Sequence, residues 1–198
     1  MSAFPLKTLM GVAMLALAGC AARTPPVDVT RFHLDQPVAP APFVVEPRDG
    51  NAADSLEFSV YADAVRAALT RLGFSAAPDL AHSELVAVVD IQSTARQTLP
   101  RRSPVSVGLG GGSFGGGVGL GGGVSFPIGK AKSGEVVSTE LSVQIKRRSE
   151  GTVIWEGRAR GEARIGTPYG APGTMATRLS DALFTGFPGE SGRTITVQ

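Results

Sequence analysis

Between Glu140 and Ile165 the chain alternates apolar and polar residues with a regularity that constrains the fold more than any other stretch. Leu141, Val143 and Ile145 share one parity against Glu140, Ser142, Gln144 and Lys146; Val153, Trp155, Gly157, Ala159, Gly161, Ala163 and Ile165 then alternate with Glu156, Arg158, Arg160, Glu162 and Arg164. A period of two belongs to a strand with one buried face, because successive side chains leave a strand on opposite sides. Ser149-Glu150-Gly151 supplies the hairpin turn between the two runs, with Gly151 suited to a positive φ. Setting Ile145 opposite Trp155 and Leu141 opposite Ala159 puts both apolar sets inside and Glu140 opposite Arg160 outside. A slip of one residue would bury the charges instead. Gly157, Ala159, Gly161 and Ala163 leave little bulk on the inner face, so a helix is expected to pack close against it.

The helix expected there follows the turn cluster Arg48-Asp49-Gly50-Asn51. Tyr61, Ala64, Val65, Ala68, Leu69 and Leu72 recur at three- and four-residue spacing, and Asp63, Arg66, Thr70 and Arg71 fall on the opposite side. Asp54 and Glu57 are spaced as a capping box at its start, and Gly73 ends it. A second helix, about Pro172 to Thr185, carries Met175, Leu179, Ala182 and Leu183 on one stripe and stops at Phe187-Pro188-Gly189-Glu190-Ser191-Gly192.

Other strands are expected at Val29 to Leu34, at Phe43 to Val45 and at Thr194 to Val197. Pro37, Pro40, Pro42 and Pro47 confine the first two to sheet edges, since proline has no N–H to give to a ladder. Glu84 to Ile91 is nearly continuous in branched apolar residues and reads as a central strand covered on both faces. The expected class is therefore α+β: a mostly antiparallel sheet with two amphipathic helices packed on one face, plus a long glycine-rich loop. That loop centres on residues 108–123, where eleven of sixteen positions are glycine, interleaved with Leu109, Phe114, Val118 and Leu120. Ordering so many glycines costs much backbone entropy, which favours a mobile loop. In the sharper alternative its sparse apolar residues dip into lipid headgroups or a partner groove.

Residues 1–19 read as a targeting segment: Lys7 gives the positive flank, Leu9 to Ala18 the apolar stretch, and Ala18-Gly19 the small residues before a cleavage point. The apolar stretch is short of the roughly 20 residues a spanning helix needs. Leu17-Ala18-Gly19-Cys20 has the pattern of a lipobox, in which the cysteine sulfur receives a diacylglyceryl group. Cys20 is the expected lipid-attachment residue and the sole cysteine of the chain, so disulfides play no part. Three parts follow: residues 1–19 as lipoprotein signal peptide, 20–27 as a lipidated tether stiffened by Thr24-Pro25-Pro26, and 28–198 as a single α+β domain with a glycine-rich insertion at about 103–133. With 19 basic and 17 acidic residues, the chain has no charge excess of the kind nucleic-acid binding requires.

Constellations for chemistry are sparse. Gly110 to Gly115 and Gly117 to Gly122 each fit G-x-G-x-x-G, but at this glycine density such matches arise by chance, and no helix pattern follows. His33 and His82 would need carboxylates such as Asp79, Glu84 or Asp90 to complete a zinc site. Gly189-Glu190-Ser191-Gly192 is a turn before a strand, not the strand-to-helix elbow of a hydrolase nucleophile. Trp155 reads as core rather than as a sugar platform. Arg158, Arg160, Arg164, Lys146 and Arg148 could face lipid phosphates, but Glu140, Glu156 and Glu162 are interspersed, as on a solvated strand face. No residue is assigned a catalytic, cofactor-binding or metal-binding role.

The lipobox, Ser55-Leu56-Glu57-Phe58 with Tyr61, the run Leu69-Thr70-Arg71-Leu72-Gly73-Phe74, the glycine tract, Val153-Ile154-Trp155-Glu156-Gly157 and the ending Leu183 to Gly192 together resemble bacterial lipoproteins that carry domain-of-unknown-function family 4136. The resemblance implies an envelope lipoprotein with an α+β domain and transfers no catalytic residue. Ala21, rather than aspartate, follows Cys20, which by analogy implies the outer membrane, facing the periplasm. The expected function is that of a lipid-anchored, non-catalytic binding or structural module, attached to the membrane through its N-terminal lipid. Its partner would be an envelope protein, a lipid or the cell wall. The alternative is a small periplasmic hydrolase with an unrecognised carboxylate site.

Overall fold

The computed structural model describes residues 24–34, 36–97, 106–108, 125–127 and 134–198. Nine strands are described: β1 (Val27–His33), β2 (Pro42–Pro47), β3 (Ser75–Ala76), β4 (Leu85–Gln97), β5 (Ser106–Gly108), β6 (Ser125–Pro127), β7 (Glu135–Arg147), β8 (Val153–Arg164) and β9 (Thr194–Val197). Two α-helices accompany them, α1 (Leu56–Arg71) and α2 (Pro172–Phe184). Seven strands form one sheet in the order β3-β2-β4-β7-β8-β1-β9, and β5 and β6 pair separately.

This sheet is mixed, which corrects the expected mostly antiparallel one. The ladders β4–β7, β7–β8, β8–β1 and β1–β9 are antiparallel, but β2 runs parallel to both β3 and β4. The physical reason is the connection: α1 lies between β2 and the strands it joins, and a crossover through a helix brings the chain back in the same direction. The continuous apolar run Leu85 to Val89 belongs to the strand that receives this parallel neighbour. Nor is β1 an edge strand, since it pairs with β8 on one side and β9 on the other. Two short strands are described within the glycine-rich insertion expected at about 103–133. Ser106–Gly108 and Ser125–Pro127 pair as an antiparallel two-stranded ladder. The glycine tract between them, with Phe114 and both G-x-G-x-x-G windows, lies outside the described residues, as do the signal segment and Cys20.

The β7–β8 hairpin has the register that its alternation dictates. Ile145 faces Trp155, Leu141 faces Ala159 and Glu140 faces Arg160. Beyond Ile145 the register shifts so that Lys146 faces Val153, and Ile154 is the extra residue of a bulge.

In α1 the cap is Ser55, not Asp54: the Ser55 hydroxyl accepts from the Phe58 amide at 3.4 Å. Tyr61, Val65, Ala68 and Leu69 form its buried stripe, and Gly73, at φ 93°, lets the chain turn out of the helix. The second helix has Pro172 in its first turn, where a missing N–H costs nothing, and buries Met175, Ala176, Leu179, Ala182 and Leu183.

It is α2, not α1, that covers the small-residue stripe of β8. A methyl group built on Gly157 would collide with the Trp155 ring and lie 2.7 Å from Leu183 Cδ1, and one on Gly161 would meet Leu179 at 3.1 Å. The indole of Trp155 therefore lies across the space that Gly157 vacates, stacked on Phe184 at 5.4 Å and tilted against Phe187 at 5.2 Å. Its Nε1 donates to the Pro188 carbonyl at 3.0 Å, so the buried ring has no orphaned donor.

This packing predicts a strong coupling. Trp155→Ala should cost about 3 to 5 kcal/mol, and Gly157→Ala about 1 to 3 kcal/mol through overpacking. Because the new methyl would occupy the volume of the lost ring, the double variant should fall short of the sum by more than ~1 kcal/mol in urea unfolding. Additive losses would contradict the contact.

Candidate functional site

The sheet has one face under the helices and one open face. On the open face, even-numbered residues of β4, β7 and β8 form a ladder of opposite charges. Arg96 Nη2 reaches both Glu162 carboxylate oxygens at 2.7 Å, Arg160 lies 3.4 Å from Glu140, and Arg158 donates to Glu156 at 2.7 Å. Gln144 donates a second bond to Glu156 at 3.0 Å. Burial works to raise the pKa of Glu156, but the bonds from Gln144 and Arg158 outweigh it and hold the carboxyl below its ordinary value. Arg148 leaves this face: its Nε donates to the Ser83 carbonyl at 2.6 Å. Arg158 and Arg160 are thus balanced by carboxylates within the ladder.

The inner face holds polar groups that serve the architecture. Arg31 is buried below α2, where Nε donates to Leu183 O and Nη2 to Ala182 O and Thr185 O, all at 2.9 Å. Three carbonyls at the helix C-terminus thereby gain a cationic partner, favoured by the helix dipole. Burial lowers the Arg31 pKa from its ordinary value. Nearby, Ser191 Oγ accepts from His33 N at 3.1 Å and donates to His33 O at 3.2 Å, while the His33 ring nitrogen Nε2 bonds Gly189 O at 3.0 Å. The serine of the Gly-Glu-Ser-Gly turn is a latch on β1. Tyr61, also buried, bonds Thr139, and Thr139 in turn lies 3.2 Å from Ser93; burial of the phenol, the largest influence, raises its pKa.

The structure does not bring the two histidines together with a ligand set. His82 Nδ1 bonds Asp79 at 2.7 Å on the surface, Asp90 pairs with Arg48 at 3.7 Å, and His33 is engaged as above. The bond from His82 holds the Asp79 carboxyl below its ordinary range. Among the described residues no group of three or more His, Cys, Asp or Glu is placed to hold a metal. Trp155 is fully buried, in the core.

Two clefts lie at opposite ends of the sheet. One, of about 310 Å³, is lined by residues 37–41 with Glu84, Arg147 and Arg148. The other, of about 640 Å³ and mainly apolar, is lined by Pro25, Val136, Ala163, Thr167, Pro168 and Tyr169, with Glu162 and Arg164 at its rim.

Arg31 and the Tyr61–Thr139–Ser93 seam went unread in the sequence. The signal for Arg31 was present: strand parity puts it on the face of Val27 and Val29, so a buried cation was implied.

Fold and sites together define an α+β domain with a helix-covered core, a mixed-charge open face and a cleft at the end where the N-terminus enters. Residues 30–189 match the family model described as domain of unknown function DUF4136, and the chain belongs to that family. An uncharacterized protein of Zymomonas mobilis subsp. mobilis is 30% identical over 215 residues, covering 88% of this chain and 81% of that one. A PDZ domain protein from Parabacteroides distasonis matches with TM-score 0.47 and 14% identity, over 94% of this chain but only 41% of its own. The PelC dodecamer from Paraburkholderia phytofirmans matches with TM-score 0.39 and 14% identity, over 79% of this chain and 92% of its own.

Two outcomes follow from the geometry. Arg31→Met should cost about 2 to 4 kcal/mol by leaving buried carbonyls unpaired, and Arg31→Lys should recover only part of this, since an ammonium lacks the planar fork. Equal stability of Arg31→Met and the parent in urea titration would refute the capping role. For Glu156 the folded pKa lies below the unfolded one, so its stabilisation is present above the unfolded value and lost as pH falls through the folded one. Glu156→Gln should therefore be less stable than the parent by about 1 kcal/mol at neutral pH. The gap should close well below pH ~4.3, the ordinary glutamate value; a gap independent of pH would contradict the assignment.

Proposed function

We propose that this protein is a lipid-anchored lipoprotein of the cell envelope, acting as a non-catalytic binding or structural module on the periplasmic side of the outer membrane. The observation that carries the reading is Leu17-Ala18-Gly19-Cys20, which joins a short apolar leader to the one cysteine of the chain. The polar, proline-bearing run Ala21 to Pro26 then separates that cysteine from β1, as a spacer between lipid and domain would. Ala21 after the cysteine supports the outer membrane as the destination.

The chemistry of the described residues supports a module over an enzyme. Side chains whose acidity departs from the ordinary have architectural partners: Arg31 caps α2, Tyr61 joins the Thr139 seam, Glu156 sits in the open-face ladder, Asp79 bonds His82, and Arg178 lies over Tyr169. The Ser191 hydroxyl is fastened to the His33 backbone, and the His33 ring to the Gly189 carbonyl. The partner is an envelope protein, a lipid or the cell wall, and tethering raises the effective concentration of even a weak binder at the membrane.

Cys20→Ser tests the anchor. The wild-type chain should incorporate labelled fatty acid and sediment with membranes, whereas the variant should take up no label and either stay unprocessed or appear in the soluble periplasmic fraction. Retention of a processed Cys20→Ser chain on the outer membrane would sink the reading.

A further inference from the structure

The antiparallel ladders β4–β7–β8–β1–β9 decide which chain segments share an end of the sheet. Val27, at the start of β1, pairs with both Gly161 near the end of β8 and Val197 near the end of β9. At the same end β4 finishes at Gln97 opposite Glu135, and Val136 faces Arg164. The tether, the connection between residues 97 and 134 and the C-terminus therefore all leave from one end. The β7–β8 turn is at the other.

The tether end has the composition of an interfacial surface. Ile165, which follows β8 and donates its N–H to Glu135 O, is 51% exposed there, and the apolar cleft at the same end is lined by Val136, Pro168 and Tyr169. Three arginines surround these residues. Arg164 is exposed, Arg96 keeps a 60% exposed side chain, and Arg178 lies 5.3 Å over the Tyr169 ring while donating to Pro25 O at 2.6 Å. Among the described residues the carboxylates at or next to this end are Glu162, paired with Arg96, the exposed Glu135, Asp28, which accepts from Thr196, and Asp181, which pairs with Arg71. The sequence attached here adds charge of one sign. From Ile91 to Gly134 there is no carboxylate, against Arg96, Arg101, Arg102, Lys130 and Lys132, and Arg23 precedes Asp28 in the tether.

We propose that this end of the sheet is a phospholipid-contacting surface, with Ile165, Pro168 and Tyr169 at the interface and Arg164 directed to anionic headgroups. The inference rests on the lipid anchor at Cys20. Seven residue steps from Cys20 to Val27 span at most roughly 25 Å, so an acylated chain holds Val27, and with it the start of this end, within that distance of the bilayer whatever way the domain turns. Over such a reach the cationic excess meets anionic lipid within a few screening lengths of about 8 Å each. An aromatic ring with an arginine over its face, beside aliphatic side chains, suits the headgroup boundary, where an apolar body and a polar tip are both satisfied.

The test uses the full lipidated chain, purified from membranes and reconstituted into vesicles. With Cys20 acylated, Thr174→Cys at the exposed start of α2 and Glu150→Cys in the β7–β8 turn each introduce the one reactive thiol. A fluorophore on each is challenged with a headgroup spin-labelled lipid. On mixed phosphatidylcholine–phosphatidylglycerol vesicles the Thr174→Cys label should be quenched at least about threefold more than the Glu150→Cys label, given a contribution of about fivefold in affinity per arginine near an anionic surface. Combining Arg164→Glu with Ile165→Asp should bring the two labels to parity, as should phosphatidylcholine alone in high salt. Equal quenching on the mixed vesicles overturns the proposal, as does a near-end preference that survives the double substitution and would then reflect the tether or a protein partner. The mass of the N-terminal peptide separates the two layers: an unacylated Cys20 overturns the anchor and this surface together, whereas an acylated chain with equal quenching overturns the surface alone.

Discussion

A guanidinium buried beneath a helix end holds the N-terminal strand, the second helix and the C-terminal segment in one arrangement. Arg31 reaches the carbonyls of Ala182, Leu183 and Thr185, so β1 cannot shift along the sheet without uncovering the end of α2. The following loop is shaped around the same side chain. Gly189, at φ 85°, comes so near that a methyl group there would lie 2.6 Å from Arg31 Cδ, and Gly192 N donates to Arg31 O at 2.8 Å. Trp155 fixes the other side of this loop through Pro188 O, and Phe187 fills the space between the indole and Phe74. Polar and aromatic contacts thus specify one path for residues 185–192, and that path delivers β9 to the free edge of β1. Paired carbonyls in the interior would be costly to abandon, which makes the arrangement specific as well as stable.

How much of this was legible in the sequence follows from the range of each signal. The β7–β8 register was readable because its determinants, the alternation and the turn, lie within one stretch of about twenty-five residues. Both helices were readable for the same reason. The parallel course of β2 was not, since a strand's own periodicity reports which face is buried and nothing about the direction of its neighbours; the helix between β2 and β4 was the better guide. The bare stripe of Gly157 and Gly161 announced a close approach without saying which helix made it. Arg31 was missed because a charged residue in a short strand is ordinarily assigned to solvent, although parity placed it inside. Of the candidate functional features, Cys20 and the glycine tract were singled out from sequence, while the tether-end cleft brings Pro25 to Val136 and Tyr169 from far along the chain and had no local signature.

On the open face the same alternation yields balance rather than a basic patch. The interspersed Glu156 and Glu162 already marked β8 as a solvated strand face rather than a basic surface. Pairing brings Glu140 from β7 beside Arg160, and Arg96 from β4 spans two strands to Glu162. Exposed pairs of this kind add little stability each, but they disperse charge and leave no long row of unsatisfied cations. Arg158 and Arg160 thus each have a carboxylate partner, and the connection between β4 and β7, which carries Arg101, Arg102, Lys130 and Lys132 and no carboxylate, joins the sheet elsewhere.

That location is a consequence of topology. With β1 antiparallel to β8, β8 to β7 and β7 to β4, whatever joins β4 to β7 must emerge at the end where β1 begins. An insertion at that joint is displayed beside the tether whatever its length, and the hairpin turn between β7 and β8 is displayed at the far end. The connection that leaves the sheet at Gln97 and rejoins it at Glu135, rich in glycine and free of carboxylates, is attached at the first of these places, while the tight turn Ser149-Glu150-Gly151 occupies the second. Among the described residues the core lies between the helices and the inner face, and neither Gln97 and Glu135, where the connection is attached, nor the hairpin turn is part of it. Length and charge at the tether end can therefore vary without cost to packing, which is the condition under which a surface can be shaped for a partner instead of for the fold.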